Sequence, residues 1–309
     1  MRNSQTSRAQ WLRRLATRRK DRVAFVFSGG GPLGALQVGA VKALLETGIR
    51  PDLVVGTSVG ALNGTFIAFD PTVAGAAKLE EVWRTIQEGE LFPGGRFKAS
   101  WAKMLVRGDR VFENTGIHRL VDTRVGNAHF EDAQVPLGVV ATDLETGVQR
   151  VFTSGGLMQP LLASSAMPGI FPPVEIEGRM YTDGGVSNNV PIQPAVEMGA
   201  LTIYVMDATG TSNQRRPLNR PMDHLLHAFS LARSQRFMLE RELYEAHHVR
   251  LILIPTEPLD FFVPFASVAY TPQLIDSAYE TTTRFLQGTL EPVVTEDESG
   301  EITEIRPAT

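Results

Sequence analysis

Residues 23–62 read VAFVFSGGGPLGALQVGAVKALLETGIRPDLVVGTSVGAL, and the alternation of apolar runs with glycine turns in this stretch decides the fold class. Val23–Phe27 is an unbroken apolar run that ends in Ser28 and three glycines, the pattern of a strand buried on both faces. Leu36, Val41, Leu44 and Leu45 then recur at near-helical spacing, and Gly48 follows Thr47 where a left-handed residue would end the helix. Leu53–Val55 predicts a second strand, and Val59, Leu62, Phe66 and Ile67 a second helix. Strand, helix, strand, helix in this order predicts an α/β sandwich around a central, mostly parallel sheet.

Working outward, Leu137–Thr142 and Val148–Phe152 read as strands around the turn Glu145-Thr146-Gly147. Val174–Ile176 and Arg179–Tyr181 flank a tight Glu177-Gly178 turn, so two hairpins are expected. Leu201–Met206 and Val249–Ile254 are later buried strands, separated by a long amphipathic helix over His224–Ala246, and a last helix is predicted over Pro272–Leu286. Three segments result: a basic arm over 1–22, one folded domain over 23–290, and an acidic, disordered tail over 291–309. In the arm, Trp11, Leu12 and Leu15 lie among Arg13, Arg14, Arg18, Arg19 and Lys20. The segment reads as a solvated arm, with a short basic amphipathic helix at an anionic surface as the alternative.

Composition narrows the function classes. A chain of 309 residues with 43% hydrophobic content supports one large core or two modest ones. A formal net charge of -4 gives no electrostatic reason to expect a nucleic-acid partner. The absence of cysteine removes disulfides, thiolate metal sites and a cysteine nucleophile together, and fits a reducing cytoplasm. The arginine-rich start lacks the apolar core of a secretory signal, and the longest apolar runs are strand-sized, so neither export nor a spanning helix is expected. The expected location is cytoplasmic, with any membrane contact peripheral.

Gly56-Thr57-Ser58-Val59-Gly60 matches G-x-S-x-G between a predicted strand and a predicted helix, the context in which that pattern lifts a serine hydroxyl out of a sharp turn. Gly56 and Gly60 serve the turn, because side chains there would meet neighbouring backbone. Gly29-Gly30-Gly31-Pro32-Leu33-Gly34 follows the first strand and opens the first helix, so its amides can converge on a phosphate or an oxyanion. A dinucleotide site would want an acidic residue at the end of the second strand, yet Asp52 precedes that strand and Gly56-Thr57-Ser58 follows it. An acyl-transfer site wants amide donors beside a nucleophile, worth about 2.7 to 4 kcal/mol each. Thr182-Asp183-Gly184-Gly185 supplies a carboxylate on a glycine turn, an ordinary turn sequence that gains weight only beside the other two elements.

With these three elements in this order, the chain resembles the patatin-like phospholipase family, whose pattern is a glycine-rich oxyanion loop, G-x-S-x-G, and Asp-Gly-Gly or Asp-Gly-Ala. The resemblance also takes in Val140-Ala141-Thr142-Asp143 and Ala163-Ser164-Ser165-Ala166-Met167-Pro168-Gly169-Ile170-Phe171-Pro172-Pro173, and so runs from about Val23 to Met206. It implies a three-layer α/β sandwich and a lipid acyl hydrolase acting on phospholipid or lysophospholipid esters; no His-x-x-x-His spacing or carboxylate cluster stands out in the sequence, so neither metal nor cofactor is expected. It further implies Ser58 as nucleophile, Asp183 as base, and amides around Gly29, Gly30 and Gly31 as the oxyanion hole, with Gly34, Gly56, Gly60, Gly184 and Gly185 supporting the motifs. The sequence departs from the pattern at Leu33, where the family often has Arg or Lys.

Two rivals stand beside this reading. A Ser-His-Asp esterase is compatible with the chain order of Ser58, an aspartate such as Asp143, Asp183 or Asp207, and a late histidine among His224, His227, His247 and His248. All four histidines fall on or at the end of the predicted long helix and read as surface residues, and His118 and His129 come too early for at least Asp183 and Asp207. A non-catalytic lipid-binding module is the second rival, against which the intact Ser58 and Asp183 speak. An aspartate with an ordinary pKa near 3.9 is a poor base in water, so a Ser-Asp dyad requires close contact in a shielded pocket. Leu259-Asp260-Phe261-Phe262-Val263-Pro264-Phe265 reads either as an apolar lip that meets lipid or as core.

Overall fold

The computed structural model describes residues 21–86, 126–208, 221–259, 263 and 267–289. The basic arm up to residue 20, the tail, His118 and most of the 259–265 segment lie outside the described residues.

Eight strands form one sheet: β1 (Arg22–Phe27), β2 (Leu53–Thr57), β3 (Leu137–Asp143), β4 (Gln149–Phe152), β5 (Val174–Ile176), β6 (Arg179–Asp183), β7 (Ala200–Met206) and β8 (Arg250–Leu253). Their order is β5-β6-β3-β2-β1-β7-β8, with β4 paired to β3. The centre is parallel, and β3–β4, β3–β6 and β5–β6 are antiparallel. Among the described residues the α-helices are α1 (Gly34–Glu46), α2 (Val59–Phe69), α3 (Val73–Thr85), α4 (Met158–Ser164), α5 (Ile192–Glu197), α6 (Pro221–Glu245) and α7 (Thr271–Leu286).

The alternation of side chains along β1 creates the layers. Phe25 and Phe27 point into a core shared with Leu36, Val41 and Leu44 of α1, Ile67 of α2, Leu79 of α3 and Leu274 of α7. Ala24 and Val26 point the other way, into a core with Ile192 and Val196 of α5 and Tyr244 of α6. Because both faces are covered, β2 and β3 are buried along their full lengths, and this is why they read as continuous apolar runs. Gly39 allows α1 and α7 to touch, since a Cβ there would lie 2.1 Å from the Ile275 carbonyl oxygen.

Both expected hairpins are present, and the Glu177-Gly178 turn has positive φ at both residues, 53° and 77°, as a two-residue turn between twisted strands requires. The helix over Gly34–Glu46 ends as predicted, with Gly48 at φ +85°. The later strand is shorter than its apolar run, Arg250–Leu253 rather than Val249–Ile254, and α6 begins at Pro221, three residues before His224. Helices α3, α4 and α5 were not among the expected elements, and α4 and α5 contain Pro160 and Pro194. Each proline sits in the first turn, where its missing N–H costs nothing. Of the proposed apolar lip, Val263 is buried and Leu259 packs against the larger core.

Candidate active site

The sheet topology brings the three motifs together. Phe27 pairs with Gly56, so the loop that follows β1 lies beside the turn that follows β2. Thr57 pairs with Val140, while Asp183 pairs with the next residue of β3, Ala141. Since β4 occupies one edge of β3 over Val139–Thr142, β2 and the antiparallel β6 share the other edge and meet end to end. Ser58 and Asp183 are thereby delivered to one point from opposite directions.

Ser58 takes φ 56° and ψ −127°, a conformation that costs a non-glycine residue about 1 to 3 kcal/mol. The surroundings impose it. A Cβ on Gly56 would lie 2.3 Å from the Gly60 carbonyl oxygen, and one on Gly60 2.4 Å from that of Phe27, so only glycine permits this crossing of backbones. The Ser58 N–H donates to Ser164 Oγ at 2.8 Å, and that hydroxyl donates to the Val140 carbonyl at 2.6 Å. The Ser58 carbonyl accepts from the N–H groups of Ala61 and Leu62, which starts α2 directly behind the serine.

The Ser58 hydroxyl donates to Asp183 Oδ2 at 2.7 Å, and the Gly185 N–H donates to Asp183 Oδ1 at 2.7 Å. Asp183 is only 6% exposed. Burial pushes its carboxyl up from 3.8 to about 6, against the hydrogen bond from Ser58, the N–H of Gly185 and the positive charge of Arg233, all of which favour the ionised form. The shielded contact that a Ser-Asp pair requires is therefore built. Gly184 lets the turn lie on β3, since a Cβ there would stand 2.2 Å from the Val140 carbonyl oxygen.

The glycine-rich loop lies against the serine: a Cβ on Gly29 would come within 3.2 Å of Ser58 Cβ and 2.6 Å of Asn189 Oδ1. The Gly29 N–H donates to the Asn189 carbonyl at 3.1 Å, and Asn189 Nδ2 donates back to the Gly29 carbonyl at 3.2 Å. The Gly29 amide is thus engaged, whereas those of Gly30 and Gly31 donate to no other described residue. Gly30 abuts Ala208, whose methyl carbon a Cβ would meet at 2.6 Å, and Gly34 abuts Val59, whose Cγ2 a Cβ would meet at the same distance. Asp52 accepts from the Val23 N–H at the opposite end of β1, far from where a dinucleotide ribose would need it.

A buried polar network braces the loop from behind. Trp83 Nε1 donates to Asn63 Oδ1 at 2.8 Å, Asn63 Nδ2 donates to Gln37 Oε1 at 2.9 Å and to the Gly34 carbonyl at 3.0 Å, and Gln37 Nε2 donates to the carbonyls of Ser28 at 2.8 Å and Met206 at 3.1 Å. Every member of this chain is hydrogen-bonded, as a buried network must be to hold one geometry. Gln37, the polar residue within the apolar run Ala35–Val41, was a legible sign of it. Ser164 belongs to the Ala163–Pro173 segment and Asn189 follows the Asp183 turn, neither with a role that the sequence assigns, and Arg233 carries no local signal, standing among several arginines on one long helix.

His224, His247 and His248 are exposed and His227 is half-buried, and among the described residues no histidine is bonded to Ser58 or Asp183. Asp143 is held well below the usual carboxylate range despite its burial, by the N–H groups of Thr146 and Glu145 and by Arg179. It closes the β3–β4 turn rather than facing the serine. No group of three or more His, Asp or Glu side chains among the described residues is arranged to hold a metal ion. No helix among them is long and apolar enough to cross a membrane.

The family model described as patatin-like phospholipase matches residues 25–196. Similar curated proteins include patatin-like phospholipase domain-containing protein 7 of Mus musculus, 29% identical over 187 residues, and protein 6 of the same name series from Homo sapiens, 31% identical over 187 residues. Each alignment covers 60% of this chain and 13% of the relative. Lysophospholipase NTE1 of Saccharomyces cerevisiae is 26% identical over 204 residues, covering 63% of this chain and 11% of that protein. The chain thus spans a small part of the length of the curated relatives it matches. Among solved structures, VipD from Legionella pneumophila aligns with a TM-score of 0.47 and 15% identity, over 87% of this chain and 67% of that one.

Proposed function

Because the chain belongs to the patatin-like phospholipase family, we propose that it is a serine acyl hydrolase that cleaves carboxylic esters of lipids through a Ser58–Asp183 dyad and an acyl-enzyme. The observation that carries this reading is the 2.7 Å hydrogen bond from a strained, turn-borne serine hydroxyl to a buried carboxylate. As Ser58 Oγ attacks the ester carbonyl carbon, its proton passes to Asp183 Oδ2. The charge that develops on the carbonyl oxygen faces the Gly30 and Gly31 N–H groups, with the start of α2 behind. Asp183 returns the proton to the departing alcohol as the ester C–O bond breaks. A water then attacks the acyl-enzyme, giving its proton to Asp183, and the fatty acid leaves as Ser58 is reprotonated.

A carboxyl held at about 6 is ionised at neutral pH and is a better base than an ordinary aspartate. Activity should accordingly fall as pH drops through about 6. The yeast relative named a lysophospholipase supports lysophospholipid as the first substrate class to try, with phospholipid next, and such substrates imply peripheral contact with a lipid surface.

The test is hydrolysis of medium- and long-chain nitrophenyl esters, then of lysophospholipid micelles and phospholipid vesicles. The proteins compared are wild type, Ser58→Ala, Asp183→Asn and a variant with His224, His227, His247 and His248 all replaced. Loss of turnover in the first two variants with activity kept in the third is expected. A folded histidine variant without activity would move the base role to a triad, and an inactive wild type would favour a lipid-binding module.

A further inference from the structure

The segment matched by the family model ends at residue 196, yet a side chain from α6 enters the site. Arg233 Nη1 donates to Asn189 Oδ1 at 3.0 Å. A Cβ placed on Gly185 would stand 3.1 Å from the same Nη1 and 3.0 Å from Asp183 Oδ1, so the cation and the carboxylate flank one glycine. That puts them within about 6 Å, the range over which an opposite charge favours ionisation. Gly185, next to the aspartate in Asp183-Gly184-Gly185, leaves the space that this approach needs. One turn earlier on α6, the Phe229 ring lies under the guanidinium, with Cζ 4.6 Å from its centroid, and fixes the plane of the group.

We propose that Arg233 is a positioning residue of the dyad, gripping Asn189 and standing over the Asp183 turn so that the carboxylate stays charged and aimed at Ser58. The proposal rests on the Ser58–Asp183 reading above. Asn189 makes the grip consequential, because it clamps Gly29 through both its backbone and its side chain. One guanidinium thus ties together the carboxylate turn and the glycine-rich loop, which itself carries no cation from Gly29 to Gly34.

The other charged groups near the turn come from α6, from the sheet and from the residue after β7. On α6, Arg236 pairs with Glu240 at 2.8 Å, and Glu240 reaches Asn188 Nδ2 at 3.5 Å. On the sheet, Asp143 pairs with Arg179 at 2.9 Å, at the far end of β6. Asp207 follows β7, one residue before the alanine that abuts Gly30. From the elbow, Ser58 donates its hydroxyl, and α4 presents the neutral Ser164. Among the described residues, Arg233 is the charged side chain that acts on Asp183.

The test measures kcat and KM from acid to alkaline pH with a neutral nitrophenyl ester and with a lysophospholipid, using the full chain as wild type, Arg233→Gln, Arg233→Lys and Asp183→Asn, each checked by thermal unfolding. Arg233→Gln is expected to lower kcat about 10-fold with little change in KM, and to move the acid limb up by about one pH unit. Arg233→Lys restores the limb while kcat stays low, because an ammonium keeps the charge but not the planar grip on Asn189. An unmoved limb in folded Arg233→Gln overturns the proposal and leaves the residue a packing role. A change confined to KM, seen only with phosphate-bearing lipids, overturns it too, and assigns Arg233 to the substrate headgroup. Should Arg233→Gln fail to fold, the lysine variant decides: a retained limb with lower kcat supports the role, and a displaced limb defeats it. Activity in Asp183→Asn, or none in wild type, sinks the dyad reading and this proposal together. An inactive Asp183→Asn beside an unmoved Arg233→Gln limb removes the proposal alone.

Discussion

Replacing Asp183 by Asn should abolish turnover and at the same time change how stability depends on pH. Burial raises the folded-state pKa of this carboxyl from 3.8 to about 6, so between those values the folded chain binds a proton that the unfolded chain releases. The wild type is therefore stabilised by this group below pH 3.8 and loses that stabilisation as pH rises through about 6. At about 1.4 kcal/mol per pKa unit, the full difference is about 3 kcal/mol. About 1.4 kcal/mol of it is already present at pH 5. The amide of Asp183→Asn does not titrate: its oxygen can accept from the Gly185 N–H, and its nitrogen can face Ser58. Relative to wild type, the variant should thus gain about 1.4 kcal/mol on going from pH 5 to pH 8, or about 3 to 6 °C in Tm at 2 to 4 °C per kcal/mol. Urea unfolding of both proteins at pH 5, 6, 7 and 8 reads the difference. A difference between the two that stays flat with pH, or in which the variant loses stability relative to wild type toward pH 8, would refute the claim that Asp183 is held as a costly buried carboxylate.

Ser164→Ala removes the acceptor of the half-buried Ser58 N–H and the donor to the buried Val140 carbonyl. It should cost about 1 to 3 kcal/mol of stability and lower kcat about 10-fold, since the strained turn loses its tether; unchanged kcat with unchanged denaturation midpoint would show the bridge to be idle. Gly39→Ala should destabilise despite the better helix propensity of alanine, because the added carbon lands 2.1 Å from the Ile275 carbonyl oxygen, and α1 and α7 must separate. Calorimetry giving a higher Tm for this variant would contradict the close helix contact.

Much of the fold was legible because buried parallel strands and their glycine turns leave local marks. Val23–Phe27 and Leu53–Val55 are apolar at every position since helices cover both faces, and Gly48, Gly56 and Gly60 stand where a side chain would need a disallowed φ or would strike backbone. The short helices at Pro160 and Pro194 were not legible, as a proline in a first turn and a proline that breaks a helix look alike without the flanking chain direction. The same holds for Leu259 and Val263, whose apolar character fits both core and surface lip until packing shows them against the core.

The sequence by itself determined which residues are candidates for the chemistry: a serine in a strand-to-helix turn, a glycine-rich loop and an aspartate on a glycine turn. Tertiary structure alone decided their mutual geometry. Ser58 and Asp183 are 125 residues apart and meet because β2 and β6 share one edge of β3, a pairing that no local pattern encodes. The pKa of Asp183 likewise depends on what excludes water from it, which is set by the packing of Gly185, Asn189 and Arg233 around the turn. Side-chain type is a property of one position, whereas desolvation and charge proximity belong to the three-dimensional neighbourhood that distant segments build together.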